Sequence, residues 1–200
     1  MKKLIAAFAA VLSLIGARTF AQEAGPGPGT LEVTLIPGGG MFFVDSSRES
    51  GFLNYSLGGA ATYNINQYVG IEGEIASALG ITQNVLMPGV TSDHKTPNAL
   101  TCTGNVVFSA PAHYSTVMYA AAGLGGLTMF QNMGLDVTTT TFLTSNAGGG
   151  IKWYVSRIFG FRADYRFLMV KSTAAAPAFF GQDNRYGYRV YGALVLNVVP

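Results

Sequence analysis

The sequence has little charge, a single cysteine and no long basic run, and each shortage excludes a class of protein. Charged residues make up 11 % of the 200 residues, against about 25 % in an ordinary soluble domain. No cluster of Lys and Arg is long enough to follow a phosphate backbone, so a nucleic-acid partner is excluded. Cys102 is the only cysteine, which excludes a disulfide framework and a cysteine-based zinc site.

Apolar residues and glycine are abundant instead. Hydrophobic residues reach 49 % and glycines number 26, a composition that excludes intrinsic disorder. Beyond the N-terminal segment, the longest apolar stretch is 117–130, and three glycines and a threonine interrupt it. A helical membrane span of about 20 apolar residues is therefore excluded. Two classes remain, a soluble β-protein and a transmembrane β-barrel.

The N-terminus is typical of a secretory signal peptide. Met1-Lys-Lys3 is basic, residues 4–16 are apolar, and small residues at Thr19 and Ala21 predict cleavage after Ala21. The predicted organisation is a signal peptide over 1–21, a Gly/Pro leader over 22–29 and one barrel domain over 30–200. Cleavage removes three of the 12 basic residues, so the mature chain would carry nine against ten acidic ones.

Segments with period-2 alternation predict eight strands, and the connections between them alternate in length. Long polar connections at 44–51, 80–98, 128–139 and 171–184 alternate with short ones at 64–67, 111–114 and 155–157. This order is typical of a bacterial outer-membrane barrel. We therefore predict an all-β fold, an eight-stranded antiparallel up-and-down transmembrane β-barrel. The predicted strands are 30–43, 52–63, 68–79, 99–110, 115–127, 140–154, 158–170 and 185–198.

The two faces of each predicted strand differ in a way that indicates which solvent they meet. One face carries large apolar side chains, whereas the other carries mostly Gly, Ala, Ser, Thr and Asn with few charges. A face exposed to water would carry many Lys and Glu, but small residues suit the narrow lumen of an eight-stranded barrel. Aromatic residues also flank each short turn, as in an interfacial girdle. The pattern favours a barrel with its apolar face outside.

Strand parity directs eight charged residues into the predicted lumen, four acidic and four basic. Buried charges are costly unless they are paired, so we expect a mutually satisfied ionic network. A balanced lumen favours a structural plug over a selective pore, which would show an excess of one sign; a narrow or gated conduit is the alternative. The eight residues are Glu32, Glu72, Glu74, Lys152, Arg162, Asp164, Arg166 and Arg189.

Several motifs resemble the small outer-membrane β-barrel domain family, which includes the N-terminal barrel of the OmpA-like porins. The resemblance covers residues 30–198 and implies a location in the outer membrane, in contact with its lipid. The motifs are Gly38-Gly-Gly40, Tyr63-Asn-Ile-Asn-Gln-Tyr-Val-Gly-Ile-Glu-Gly-Glu74, Asn105-Val-Val-Phe108 and Ala120-Ala-Ala-Gly-Leu-Gly125.

Residues with catalytic potential do not form a recognisable site. Ser92-Asp-His94 is a local cluster, but neighbours on an extended chain point to opposite sides, whereas a triad needs hydrogen-bond contact. His113 falls at the opposite end of the predicted barrel from His94, so the two cannot share a metal. Cys102 falls on the lipid face without a neighbouring His or cation to activate it as a nucleophile. We predict no enzymatic activity, no cofactor and no metal.

The predicted function is a structural or surface-interaction role in the outer membrane. Four extracellular loops would meet a host or cell-surface ligand, with Phe179 and Phe180 as the candidate loop contacts, and a monomer is favoured. A narrow pore or transporter for small or apolar solutes is the first alternative. A soluble lipocalin-like ligand-binding barrel is the second, and it would need an apolar interior.

Overall fold

The computed structural model describes residues 27–44, 51–87, 90–111, 115–133, 136–172 and 184–198. The predicted signal peptide and residues 22–26 of the leader lie outside the described residues. None of the described residues belongs to a helix that could cross a membrane. The strands are β1 (Leu31–Phe43), β2 (Phe52–Asn64), β3 (Val69–Gly80), β4 (Thr82–Met87), β5 (Val90–Lys95), β6 (Asn98–Pro111), β7 (Thr116–Met133), β8 (Asp136–Tyr154), β9 (Phe159–Lys171) and β10 (Asn184–Val198).

Eight of these strands close into a barrel in the order β1-β10-β9-β8-β7-β6-β3-β2, while β4 and β5 form a separate two-stranded sheet. Every neighbouring pair is antiparallel, and the pairing of β1 with β10 closes the ring. The predicted eight-stranded up-and-down barrel is thereby confirmed. Burial alternates along each barrel strand, so the period-2 pattern of the sequence separates the lumen from the outer wall.

The structure differs from the prediction in two of the long connections. Residues 80–98 contain the β4–β5 hairpin, in register from Thr82↔Lys95 to Met87↔Val90. Residues 128–139 are mostly strand, because β7 and β8 continue beyond the last β8–β9 pair, Leu143↔Lys171. Polar composition indicated loops in both places, but Thr and Val are β-branched and favour extended backbone.

Side-chain hydrogen bonds fasten the base of the β4–β5 hairpin to the rim of β2. The Gln83 amide donates to the Leu53 carbonyl over 2.7 Å and accepts from the Leu53 N–H over 3.1 Å, as a paired strand residue would. The Asn54 amide donates to the Pro97 carbonyl over 2.8 Å. Polar groups at the end of β2, where its pairing with β3 stops, therefore hold the hairpin on the barrel.

A bulge interrupts β1 at Pro37. The register shifts between Leu35 and Gly38 against β10, and between Ile36 and Gly39 against β2. Proline has no N–H to donate to a ladder and occurs in sheets mainly at such irregularities. The Tyr55 hydroxyl donates to the Pro37 carbonyl over 2.8 Å. A Cβ on Gly38 would overlap that hydroxyl, so a larger residue at this position would displace the Tyr55 ring.

The barrel buries charged side chains in its lumen and exposes large apolar side chains on its outer wall. Leu124, Ile75 and Trp153 are 63 %, 56 % and 54 % exposed on the outer wall, whereas Glu32, Glu72 and Arg166 are fully buried. In a water-soluble barrel the apolar side chains would fill the interior and the charges would face the solvent. This distribution is typical of a barrel whose wall contacts lipid.

Candidate functional site

The lumen holds the eight charged residues named from the sequence. None is more than 3 % exposed, and they come from five strands. Glu32 lies on β1, Glu72 and Glu74 on β3, Lys152 on β8, Arg162, Asp164 and Arg166 on β9, and Arg189 on β10. Because each strand sends alternate side chains inward, the ring directs all of them to one axis.

The centre of the network joins opposite walls of the barrel. Glu72 lies between two arginines, with its Oε2 2.6 Å from Arg162 Nη1 and its Oε1 2.7 Å from Arg166 Nη2. Asp164 accepts from both, over 2.8 Å from Arg162 Nη2 and 3.0 Å from Arg166 Nε. β3 and β9 are four places apart in the closed order of eight, so the two pairs that Glu72 makes span the full width of the lumen, whereas the two pairs of Asp164 lie along β9.

Two further pairs flank the centre. Glu74 pairs with Arg189 and lies 3.6 Å from Arg166. Towards the short-turn end, Lys152 Nζ lies 2.5 Å from Glu32 Oε1, and the Tyr154 hydroxyl donates to Glu32 Oε2 over 2.7 Å. Each of the four carboxylates therefore has a cationic partner. The described lumen also holds a fifth buried cation that the sequence patterns did not assign to it, Arg185 on β10, whose guanidinium carbon lies 5.3 Å from the centroid of the Phe52 ring.

Neutral side chains that the sequence patterns did not assign to the network complete it. The Tyr119 hydroxyl accepts from Arg162 Nε over 2.7 Å and donates to Asp164. The Asn105 amide donates to Glu72 over 3.1 Å, and the Asn146 amide donates to Asn105 over 2.9 Å. The signal was their inward strand parity, which they share with the charged residues.

A second layer of the lumen is apolar, and the sequence patterns did not predict it. Its ten buried residues lie towards the long-loop end of the barrel, above the ionic network. They share the inward parity of the charged residues, except that the bulge at Pro37 reverses the parity of the upper part of β1. The cluster consists of Met41, Phe43, Phe52, Ala78, Ala99, Leu127, Met129, Phe142, Leu168 and Val170.

The remaining candidates from the sequence lie elsewhere. Phe179, Phe180 and His113 lie outside the described residues. Ser92, Asp93 and His94 belong to β5, and Cys102 is exposed on the outer wall. Within the described parts of the chain, no group of three or more His, Cys, Asp or Glu residues could hold a metal ion.

The sequence profile of the outer membrane protein beta-barrel domain matches residues 7–197. The chain belongs to this outer-membrane β-barrel family. The family sets its location in the outer membrane and confirms the resemblance drawn from the motifs. A location in the outer membrane excludes the soluble lipocalin-like alternative. A comparison with curated proteins found no match.

Solved structures of outer-membrane barrels share the fold at low sequence identity. Neisserial surface protein A is 11 % identical, with a TM-score of 0.63, over 86 % of this chain and 99 % of its own. The N-terminal barrel of Pseudomonas aeruginosa OprF is 12 % identical, with a TM-score of 0.54, over 86 % and 100 %. Ail from Yersinia pestis, solved with the heparin analogue sucrose octasulfate, is 15 % identical, with a TM-score of 0.53, over 86 % and 99 %.

Proposed function

We propose that this outer-membrane barrel is a non-conducting structural protein that presents its long-loop side to partners at the cell surface. The observation that carries the proposal is the lumen, which holds a cross-braced ionic layer beneath a buried apolar layer. An ion crossing the barrel would have to displace both layers. The charge-balanced network therefore acts as a plug.

The pairing of every luminal carboxylate with a cation supports the plug over the narrow-pore alternative. Selective pores carry rings of one charge sign, whereas here every carboxylate has a cationic partner in the lumen. Breaking one buried ion pair costs about 3–5 kcal/mol, so an opening that separates several pairs would be rare. A transporter for small or apolar solutes would need the same rearrangement, together with movement of the apolar cluster.

The first prediction is that the reconstituted wild-type barrel passes no stepwise ionic current. Planar bilayers containing the refolded mature chain would be recorded with potassium chloride on both sides, and swelling of proteoliposomes would test small neutral solutes. A heat-dependent mobility shift on a denaturing gel would show that the same sample is folded. Regular current steps that grow with salt concentration, or swelling with small solutes, would favour the conduit instead.

The proposed surface role is supported by strands that extend beyond the barrel wall on the long-loop side. The β4–β5 hairpin is fastened to β2 through Gln83, and β7 and β8 project beyond the end of β9. The long connections carry three cations against five carboxylates, which does not favour a polyanion such as the one bound to Ail. We propose a neutral or cationic host or cell-surface ligand, with Phe179 and Phe180 still the candidate contacts. The charged residues counted are Arg48, Lys95, Lys171, Asp45, Glu49, Asp93, Asp136 and Asp183.

The second prediction is that removing the tip of the β4–β5 hairpin abolishes binding to target cells without unfolding the barrel. Residues 84–93 would be replaced by Asn-Gly, which joins Gln83 to His94 through a two-residue turn. The Gln83 hydrogen bonds to Leu53 then remain. Cell-bound protein would be measured by flow cytometry, and the gel shift would check folding. Unchanged binding by a folded variant would remove the hairpin from the proposed interaction surface.

A further inference from the structure

The bulge at Pro37 leaves a recess in the outer wall of the barrel. It has a volume of about 830 Å³ and crosses β2, β1, β10, β9 and β8. We propose that this groove binds one acyl chain of an anionic phospholipid from the periplasmic leaflet, with Arg157 holding the phosphate. The lining residues used in the argument are Gly38, Tyr55, Trp153, Phe161, Ala163 and Gly192.

The floor of the groove is a row of three small residues on adjacent strands. Gly38 pairs with Gly192 across β1 and β10, and Gly192 pairs with Ala163 across β10 and β9. A Cβ added to Gly192 would meet no atom within 4 Å, so open space lies directly over it. Larger side chains stand on either side, with Tyr55 at one end and the Trp153–Phe161 pair at the other.

The position of the groove determines what can occupy it. Trp153 and Phe161 are paired near the end of the β8–β9 hairpin, one pair from Tyr154↔Gly160, the last pair before the turn at 155–158. Short turns face the periplasm in barrels of this class. The groove is also continuous with the apolar outer wall, which contacts lipid in an outer-membrane protein. A recess at this level is therefore filled by hydrocarbon from the periplasmic leaflet.

Arg157 supplies a complementary charge at the periplasmic end of the groove. It is exposed in the turn that joins the strands of Trp153 and Phe161. It is the only Lys or Arg in the three short connections between strands, 65–68, 112–115 and 155–158. No ion pair among the described residues uses it. A guanidinium at the membrane surface binds a lipid phosphate through charge-assisted hydrogen bonds.

The turn that carries Arg157 is held against the strand that carries Gly192. The Asn197 side-chain amide donates to the Arg157 carbonyl over 3.1 Å, and the Asn197 N–H donates to the Ile158 carbonyl over 2.8 Å. Asn197 and Gly192 both lie on β10. The cation and the groove therefore belong to one rigid part of the wall, as a site for a headgroup and its chain requires.

Trp153 makes the proposal testable, because it is the only tryptophan in the chain and it lines the groove. The refolded full mature barrel would be placed in phosphatidylcholine vesicles containing either brominated phosphatidylglycerol or brominated phosphatidylcholine. Quenching of Trp153 fluorescence then gives the relative binding constant at the groove. We expect about a fivefold preference for the anionic lipid, which corresponds to about 1 kcal/mol.

Matched variants distinguish lipid binding in the groove from lipid contact elsewhere on the barrel. Arg157→Gln removes the cation, and Gly192→Leu fills the floor of the groove. Each is expected to abolish the preference for the anionic lipid, so that the ratio of the two binding constants falls to about one. Gly104→Leu is the control, because Gly104 faces outward on β6 on the opposite side of the barrel and a Cβ there also meets nothing within 4 Å. It should retain the fivefold preference. Ala163→Leu fills the same floor from β9 if Gly192→Leu does not fold.

Three outcomes would overturn the proposal. The first is equal quenching by the two brominated lipids in the wild-type barrel. The second is a preference that Arg157→Gln removes but both groove-filling variants retain, since this would show attraction at the surface without chain binding. The third is protection of Trp153 from both lipids together with a dimer in cross-linking, which would identify a second copy of the chain as the occupant.

Discussion

Replacement of Glu72 by alanine is expected to lower the free energy of unfolding by about 3–5 kcal/mol. The substitution leaves Arg162 and Arg166 in the lumen without their shared carboxylate, which lies within 2.7 Å of both. It also removes the acceptor for the Thr62 hydroxyl and the Asn105 amide. Urea unfolding in phospholipid vesicles, followed by Trp153 fluorescence, measures the change.

Two further variants test whether the stability lost in Glu72→Ala comes from the unpaired charges. Glu72→Gln keeps the shape and an acceptor oxygen but not the charge, so its free energy of unfolding should lie between those of the wild type and Glu72→Ala. Combining Glu72→Met and Asp164→Met with Arg162→Met and Arg166→Met removes two charges of each sign and leaves Glu74 its pair with Arg189, and apolar replacement of buried pairs is often nearly neutral. A loss below about 1 kcal/mol for Glu72→Ala would show that the arginines do not depend on this carboxylate.

Leu127→Ala is expected to cost about 2–5 kcal/mol, whereas Leu124→Ala should cost less than about 1 kcal/mol. Both residues lie on β7, three positions apart, but Leu127 is fully buried in the apolar layer and Leu124 is 63 % exposed on the outer wall. A cavity in the lumen stays empty, while lipid chains fill the space left on the wall. The same urea titration measures both.

The pair Leu127 and Leu124 also tests which solvent surrounds the barrel. In a lipid bilayer the outer leucine exchanges contact with one hydrocarbon for contact with another, so its truncation has little effect. Equal losses for the two variants would mean that the luminal cluster is not tightly packed. A larger loss for Leu124→Ala would mean that the outer wall packs against protein.

Much of the barrel could be predicted because its strands obey a period-2 rule that acts locally. β9 shows this well, since Arg162, Asp164 and Arg166 alternate with outward apolar residues without interruption. The bulge at Pro37 was not predicted because it becomes visible only when the pairing with both neighbouring strands is known, and it reverses the parity of Met41 and Phe43. A proline within an otherwise regular strand was the available signal.

The partners within the lumen could not be read from the sequence. Parity places Glu72 and Arg166 on inward faces, but it says nothing about the stagger between β3 and β9. Only the closed ring determines that stagger, because strand number, tilt and shear together fix which residues lie at the same height. The extension of β7 and β8 was missed for a different reason, since a run of threonines suits both a loop and a strand.

The ion pairs across the lumen stabilise the barrel only at a late stage of folding. Glu72 and Arg166 are 94 residues apart along the chain, and Lys152 and Glu32 are 120 apart. Such pairs come together only when the ring closes, and contacts of long sequence separation form late. Interactions absent from the transition state slow unfolding and leave the folding rate unchanged. The network therefore gives the folded barrel a long lifetime in the membrane without speeding its assembly.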